Sequence, residues 1–179
     1  MGQDIAEASY DQLNQLRIKI GFLFQSGALY DSMSVKENLA FPLRRHKKNL
    51  GKDKINQLIL EVLENVGLPD AGDKMPAELS GGMNKRIGLA RTLILKPSIM
   101  LYDEPTTGLD TATAKEISQL ILDMQRKYKI SSLIITHDIN CARMTADRIV
   151  MLNDGIIVAE GTYDELIKSE DEWVSSFFN

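Results

Sequence analysis

Ile99-Met100-Leu101-Tyr102-Asp103-Glu104 is the stretch on which the fold turns. The apolar run Ile99 to Tyr102 is too short for a helix and follows Pro97, so it reads as a short buried strand of the kind found in parallel sheets. It breaks off into two adjacent carboxylates. Sheets of this type carry helices on their faces and gather ligands beyond the carboxyl ends of their strands. At such an edge one carboxylate is able to hold a magnesium ion directly or through water, while its neighbour orients or deprotonates an attacking water. A strand that simply reaches solvent and becomes charged gives the same local pattern.

Working outward toward the C-terminus, Ala114, Ile117, Leu120, Ile121 and Met124 mark an amphipathic helix, and Ser132 to Thr136 mark a second buried strand. Strand, helix, strand is a βαβ unit. His137 follows the second strand as Asp103 follows the first, either as a structural histidine or as a donor to phosphate. Toward the N-terminus, Met83 to Leu95 reads as a helix preceded by Leu79-Ser80-Gly81-Gly82. Paired glycines at a helix start let backbone N–H groups approach a phosphate, and Ser80 adds a hydroxyl; an ordinary turn and cap has the same composition.

Further upstream, Arg17 to Phe24 alternates basic and apolar residues and then becomes apolar, which predicts a strand ending at Gln25, whose amide could reach metal or water. Ser34 with Glu37 forms a capping-box pattern for a helix expected to stop near Pro42. Residues 44 to 48 are Arg-Arg-His-Lys-Lys, a solvated helix flank or a surface facing anionic lipid or a membrane partner. Ile55, Leu58, Ile59, Val62, Leu63 and Val66 predict another helix, stopped by Gly67 and Pro69. Beyond His137 come a short helix near Asn140 to Met144, a hairpin about Asn153-Asp154-Gly155, and two short tail helices within Thr162 to Phe178.

Composition narrows the class. The chain has 179 residues, 44% of them hydrophobic and 26% charged, which suits one globular domain and argues against disorder, collagen-like repeats or a coiled coil. A net charge of −4 gives no electrostatic reason to expect nucleic acid as a partner. Cys141 is the single cysteine, which rules out an internal disulfide or Cys-cluster zinc site and reads as a buried helix residue. Asp4, Glu7 and Asp11 interrupt the first residues, so no secretory signal is expected there, and Arg91 and Lys96 break the most apolar stretch, so a membrane role would come through a partner.

In this order and at these spacings the motifs resemble the nucleotide-binding subunit of an ABC transporter, over essentially the whole chain. Gln25 matches the Q-loop, Leu79 to Met83 the signature, Ile99 to Asp103 the Walker B strand, Glu104 the catalytic glutamate, Gly108-Leu109-Asp110 the D-loop and His137 the switch histidine. Met83 stands where the signature usually has Gln, as it does in some lipid-transport relatives. The resemblance implies an α/β P-loop NTPase (RecA-like) fold with a mostly parallel sheet, incomplete at the N-terminus. Its expected parts are core elements at 1–34 and 97–161, an inserted helical signature subdomain at 35–96 and a helical tail at 162–179. It implies ATP and Mg2+ as cofactors, with Glu104, His137 and Gln25 catalytic, Asp103 and Gln25 toward Mg2+, and Ser80, Gly81, Gly82 and Asp110 toward nucleotide. ATP would be sandwiched between two such subunits, the signature of one facing the γ-phosphate held by the other.

Gly27-Ala28-Leu29-Tyr30-Asp31-Ser32, Glu37 to Leu43, and the ending Ser169-Glu170-Asp171 with Val174 and Phe177 are similar to ATPases of the MCE-associated, maintenance-of-lipid-asymmetry branch, which drive phospholipid or other hydrophobic-lipid transport. Amino-acid importers share parts of this pattern. The implied partners are a membrane permease docking on Tyr30 to Leu43, a second ATPase subunit and an MCE-domain lipid-binding protein. The implied location is the cytoplasm, peripheral on the inner face of the bacterial cytoplasmic membrane.

No G-x-x-x-x-G-K-[ST] phosphate loop occurs. The only Gly-Lys pair, Gly51-Lys52, is followed by Asp53 and has His46 five positions before Gly51, and only 24 residues precede Gln25. Met1 to Ile5 resembles an internal family segment, a hairpin turn leading into a short helix, so the chain reads as a family member that begins late. Two expectations follow: apolar strand faces should be bare near Met100 and Leu133, and turnover by this chain alone should fail. A non-hydrolysing module that keeps only the permease-docking and signature surfaces is the alternative.

Overall fold

A computed structural model describes residues 5–178, so the reading of Met1 to Asp4 lies outside the described residues. Three parallel strands form the central sheet in the order β1 (Ile20–Leu23), β2 (Ile99–Asp103), β3 (Ser131–Ile135). Leu23 is level with Tyr102, and Tyr102 with Ile134, so the three strands end at one edge.

The segment before β1 corrects one expectation. Arg17 to Lys19 are the last turn of α1 (Tyr10–Lys19), not strand. A capping box between Ser9 and Gln12 starts this helix upstream, and Arg17 and Lys19 complement the negative end of its dipole. Pro42 gives a second correction. It lies inside α2 (Val35–His46), which opens on the predicted Ser34–Glu37 box and continues one turn past the proline. Leu39, Ala40 and Leu43 are all buried, and their packing outweighs the backbone bond that proline cannot make. Arg44, Arg45 and His46 form the end of α2, and partial burial, and then the neighbouring charges of Arg45 and Lys47, lower the His46 pKa.

Between β1 and β2 come α2, α3 (Lys52–Asn65) and α4 (Gly81–Leu93). The helix α4 starts two residues earlier than its apolar periodicity suggests, because the Ser80 hydroxyl accepts the Met83 N–H and the glycine pair forms the first turn. β2 is followed by α5 (Thr111–Tyr128), β3 and α6 (Ile139–Thr145), with Cys141 buried in α6 as expected. The predicted hairpin is β4 (Ile149–Asn153) with β5 (Ile156–Gly161), followed by the two short tail helices α7 (Tyr163–Leu166) and α8 (Glu172–Ser176).

One apolar cluster joins the sheet to α2–α5 through Leu23, Leu39, Leu63, Ile87, Met100 and Ile121, and a smaller one holds Met151, Leu166 and Val174 under the hairpin. The sheet is covered on one side only among the described residues. Met100 and Tyr102 are fully buried, while Phe22, Leu133 and Ile135 on the alternate positions are 42%, 61% and 60% exposed. The bare face near Leu133 is therefore present, but Met100 is not on it. Side chains alternate along a strand, and Met100 points to the helical side, where side-chain-free Gly21 makes room for its sulfur and for Thr92.

Candidate active site at the sheet edge

Asp103 is the last residue of β2 and Glu104 follows it, while Gln25 and His137 lie two residues past the ends of β1 and β3, so all four sit at the carboxyl edge of the sheet. Glu104 is the best-defined of them. It has a φ of 47°, a left-handed conformation that costs a non-glycine residue roughly 1–2 kcal/mol and that here turns the chain sharply out of β2. Its N–H donates to the Ile135 carbonyl at 2.9 Å, and its own carbonyl accepts from the Lys85 ammonium at 3.0 Å. The carboxylate is held on both oxygens: His137 Nδ1 lies 2.8 Å from Oε1, and the Thr107 hydroxyl donates to Oε2 at 2.9 Å.

Glu104 is largely covered, with 20% of its side chain exposed, while the His137 ring is 71% exposed. The hydrogen bond to Glu104, and then its negative charge, raise the His137 pKa. Protonation strengthens this pair, so its contribution is fully present below the ordinary histidine value of about 6.5 and is lost as pH rises through the raised folded value. An NMR titration of the His137 ring should give a midpoint above that ordinary value, and Glu104→Gln should lower the midpoint. An unchanged midpoint in the variant would show that the pair is not formed in solution.

Asp103 makes no hydrogen bond through its carboxylate among the described contacts, and Gln25 is exposed with its amide equally unengaged. One carboxylate and one amide are hard oxygen donors of the kind Mg2+ accepts, and Mg2+ ordinarily completes its shell with water and substrate phosphate. No cluster of three or more His, Cys, Asp or Glu able to cage a metal occurs among the described residues. The donor set fits an ion shared with a nucleotide and does not fit a closed structural metal site.

The signature residues form a second group. Ser80 caps α4, and the first turn of α4 packs on the start of α5: a Cβ on Gly82 would meet the Thr113 methyl at 2.7 Å, and one on Gly81 would meet Leu109 at 3.4 Å. Asp110 caps α5, accepting from the N–H groups of Ala112 and Thr113 and from the Thr113 hydroxyl at 2.6 Å. These bonds, the hydroxyl's first, lower its pKa. Ser80, Gly81, Gly82 and Asp110 are thus brought together, while no hydrogen bond connects them to Glu104 or His137.

Helix α4 ties both groups to the loop after β1. Gly88 leaves only enough room for the Gly27 backbone, with 3.0 Å from a would-be Cβ to the Gly27 carbonyl, and Arg91 donates to the Ala28 carbonyl at 2.7 Å. Farther along that loop, Asn38 of α2 is fully buried. Its side-chain oxygen accepts the Tyr30 N–H at 2.8 Å, and its amide donates to the carbonyls of Tyr30, Met33 and Ser34. The Tyr30 ring meets Phe41 edge-on at 5.1 Å and lies under the Arg91 guanidinium at 4.6 Å.

Motif reading alone misses Lys85, Thr106, Thr107, Asn38 and Asp138. Thr106 is buried and donates to Asp138, which caps α6 directly after His137. Lys85 carried a visible signal, since it shares a helix row with Leu89 and Leu93, where an apolar residue is expected. Burial lowers its pKa, and the charges of Glu104 and Asp103 partly restore it.

A parallel α/β sheet with acids and a histidine at its carboxyl edge, and a glycine-started helix beside it, is consistent with the P-loop NTPase fold of the chain's solved-structure neighbours. The chain belongs to the ABC transporter family, whose sequence model matches residues 1–107. It is 43% identical over 178 residues to the "Probable ribonucleotide transport ATP-binding protein mkl" of Mycobacterium leprae, covering 99% of this chain and 51% of that protein. It is 40% identical over 176 residues to the "Intermembrane phospholipid transport system ATP-binding protein MlaF" of Haemophilus influenzae, covering 98% of this chain and 66% of that one. The chain therefore spans about half to two thirds of the length of these relatives. Among solved structures, the post-hydrolysis dimer of the ATP-binding cassette MJ0796 with ADP and Pi matches with a TM-score of 0.76 and 33% identity, over 87% of this chain and 68% of that one. CbiO1 of Clostridium perfringens, part of the transporter complex cbiONQ, matches with a TM-score of 0.81 and 30% identity, over 89% and 63%.

Proposed function

We propose that this chain belongs to an ATP-hydrolysing subunit that drives phospholipid or other hydrophobic-lipid transport through a membrane permease. The observation that carries the hydrolytic reading is the Glu104–His137 pair, an acid and a base 2.8 Å apart at the edge where a nucleotide would lie. In this reading Glu104 accepts a proton from the attacking water, and His137 holds the carboxylate in place and presents its exposed ring to the γ-phosphate. Asp103 and Gln25 would hold Mg2+, which when bound would supply positive charge against the developing phosphate charge. Ser80, Gly81 and Gly82 offer a hydroxyl and helix-start N–H groups to the phosphate bound by a second copy, and Asp110 shapes that junction.

The lipid branch rests on the likeness to the phospholipid-transport protein together with Met83 and the Glu37 to Leu43 segment. The printed descriptions of relatives differ, since a methionine import protein of Corynebacterium jeikeium is 36% identical over 168 residues, covering 94% of this chain and 45% of that protein. Transport of labelled phospholipid between vesicles holding the assembled transporter tests the branch; transport of methionine instead would move this chain to the importer class. Tyr30 to Leu43 is the proposed permease surface, an MCE-domain protein the further partner, and the inner face of the cytoplasmic membrane the location. No helix among the described residues is long and apolar enough to cross a membrane. The division into core (1–34, 97–161), helical subdomain (35–96) and tail (162–179) is proposed with it.

By itself, this chain neither binds ATP tightly nor turns it over. These 179 residues hold no phosphate loop, whose backbone amides and lysine supply most of the grip on the β- and γ-phosphates. Calorimetry of the purified chain with ATP and Mg2+ should show no tight binding. A robust magnesium-dependent hydrolysis that Glu104→Gln abolishes would overturn this. The alternative of a non-hydrolysing docking module is disfavoured because Glu104, His137 and Thr107 keep a fully made hydrogen-bond set that docking does not require.

A further inference from the structure

Lys85 is 5% exposed in the second turn of α4, and its ammonium donates to the backbone carbonyl of Glu104 at 3.0 Å. Burying an ammonium is unfavourable, and a leucine or methionine would continue the row of Leu89 and Leu93 without that penalty. What the lysine contributes is a donor at the end of a long stem, directed at the one strained peptide of the site. The left-handed Glu104 is held on its N–H side by the Ile135 carbonyl and on its carbonyl side by Lys85, with a weaker bond from the Thr107 N–H at 3.3 Å. With the two peptide groups that flank its Cα both held, the side chain leaves the backbone in the direction that meets both His137 and Thr107.

We propose that Lys85 is a positioning residue: from the signature helix it fixes the peptide that carries Glu104, and so links the placement of α4 to the aim of the carboxylate. This rests on the reading of Glu104 as the base. A shift of the first turns of α4, such as engagement of the signature by a second copy would bring, is transmitted to Glu104 through this single bond. Glutamine, one atom shorter than lysine, keeps a neutral N–H donor directed at the same carbonyl, while methionine has the length of glutamine and no donor.

The test compares Lys85→Met with Lys85→Gln. In this chain, amide hydrogen exchange should accelerate about tenfold or more at Glu104 and Thr107 in Lys85→Met, stay near wild type in Lys85→Gln, and remain unchanged in α3 and α5 in both. Unchanged exchange at Glu104 and Thr107, or acceleration spread evenly over the fold, overturns the proposal. In the assembled transporter, Lys85→Met should lower kcat by roughly ten- to a hundredfold, the cost of about 1 Å of misplacement, with KM for ATP within about twofold and kcat largely restored in Lys85→Gln. It should add little on top of Glu104→Gln. Should Lys85→Met not fold, Lys85→Thr, too short to reach the carbonyl, carries the same expectations. If Glu104→Gln hydrolyses ATP normally, the reading of Glu104 falls; if Glu104→Gln is inactive and Lys85→Met retains wild-type kcat, only the role of Lys85 falls.

Discussion

Glu104→Gln should lower ATP hydrolysis in the proposed transporter by roughly a hundred- to ten-thousand-fold, the range expected when general-base assistance is lost. The substitution isolates the proton-accepting role. Glutamine keeps the length of the side chain and can still accept the Thr107 hydroxyl now bonded to Oε2 at 2.9 Å, so the left-handed turn out of β2 need not change. It has no carboxylate to take a proton from water and no charge to pair with His137 Nδ1 at 2.8 Å. Nucleotide binding depends on other groups, so KM for ATP should change little while kcat falls, which separates a lost transition-state interaction from lost affinity. Steady-state assays on polypeptide that carries a phosphate loop ahead of Gln25 check this. Wild-type turnover in the variant would remove Glu104 from the chemistry.

Asn38→Ala destabilises the fold by about 3 kcal/mol and loosens the proposed permease surface. Asn38 is fully buried, and its amide satisfies one backbone N–H and three backbone carbonyls between Tyr30 and Ser34. Leaving one such group unpaired costs about 1–3 kcal/mol, and alanine leaves the Tyr30 N–H and the Met33 carbonyl without their partner, while the Tyr30 and Ser34 carbonyls keep the N–H groups of Met33 and Asn38. For a chain of this size about 3 kcal/mol corresponds to a fall in Tm of about 6–12 °C, readable by thermal denaturation. The same bonds fix the loop that carries the Tyr30 ring against Phe41 and Arg91, so permease affinity should fall with stability. A Tm shift of less than about 2 °C would mean that the loop does not depend on this amide.

Much of the site was legible in the sequence because its parts are local. An apolar run ending in Asp103 and Glu104, another ending before His137, and a serine with two glycines opening a helix are each patterns of a few neighbouring residues, and strand ends in a βαβ arrangement fall at one edge by topology. Helix identity was equally legible where apolar periodicity ran over several turns, as in α3 and α5. Arg17 to Lys19 misread as strand because alternation over a few residues suits either element, and the deciding cap lies upstream at Ser9.

The sequence by itself determined the sheet, its chemistry-bearing edge and the family to which the chain belongs. Only the tertiary structure decided which atoms meet: Glu104 with His137 across 33 residues, Lys85 with the Glu104 carbonyl across 19, and Asn38 with the loop before it. It also decided that Met100 faces the helices while Leu133 lies bare, and that Pro42 is carried inside a helix. The reason is that strand register and helix packing set these distances. Both are properties of whole elements pressed together, and the period of a single segment does not contain them.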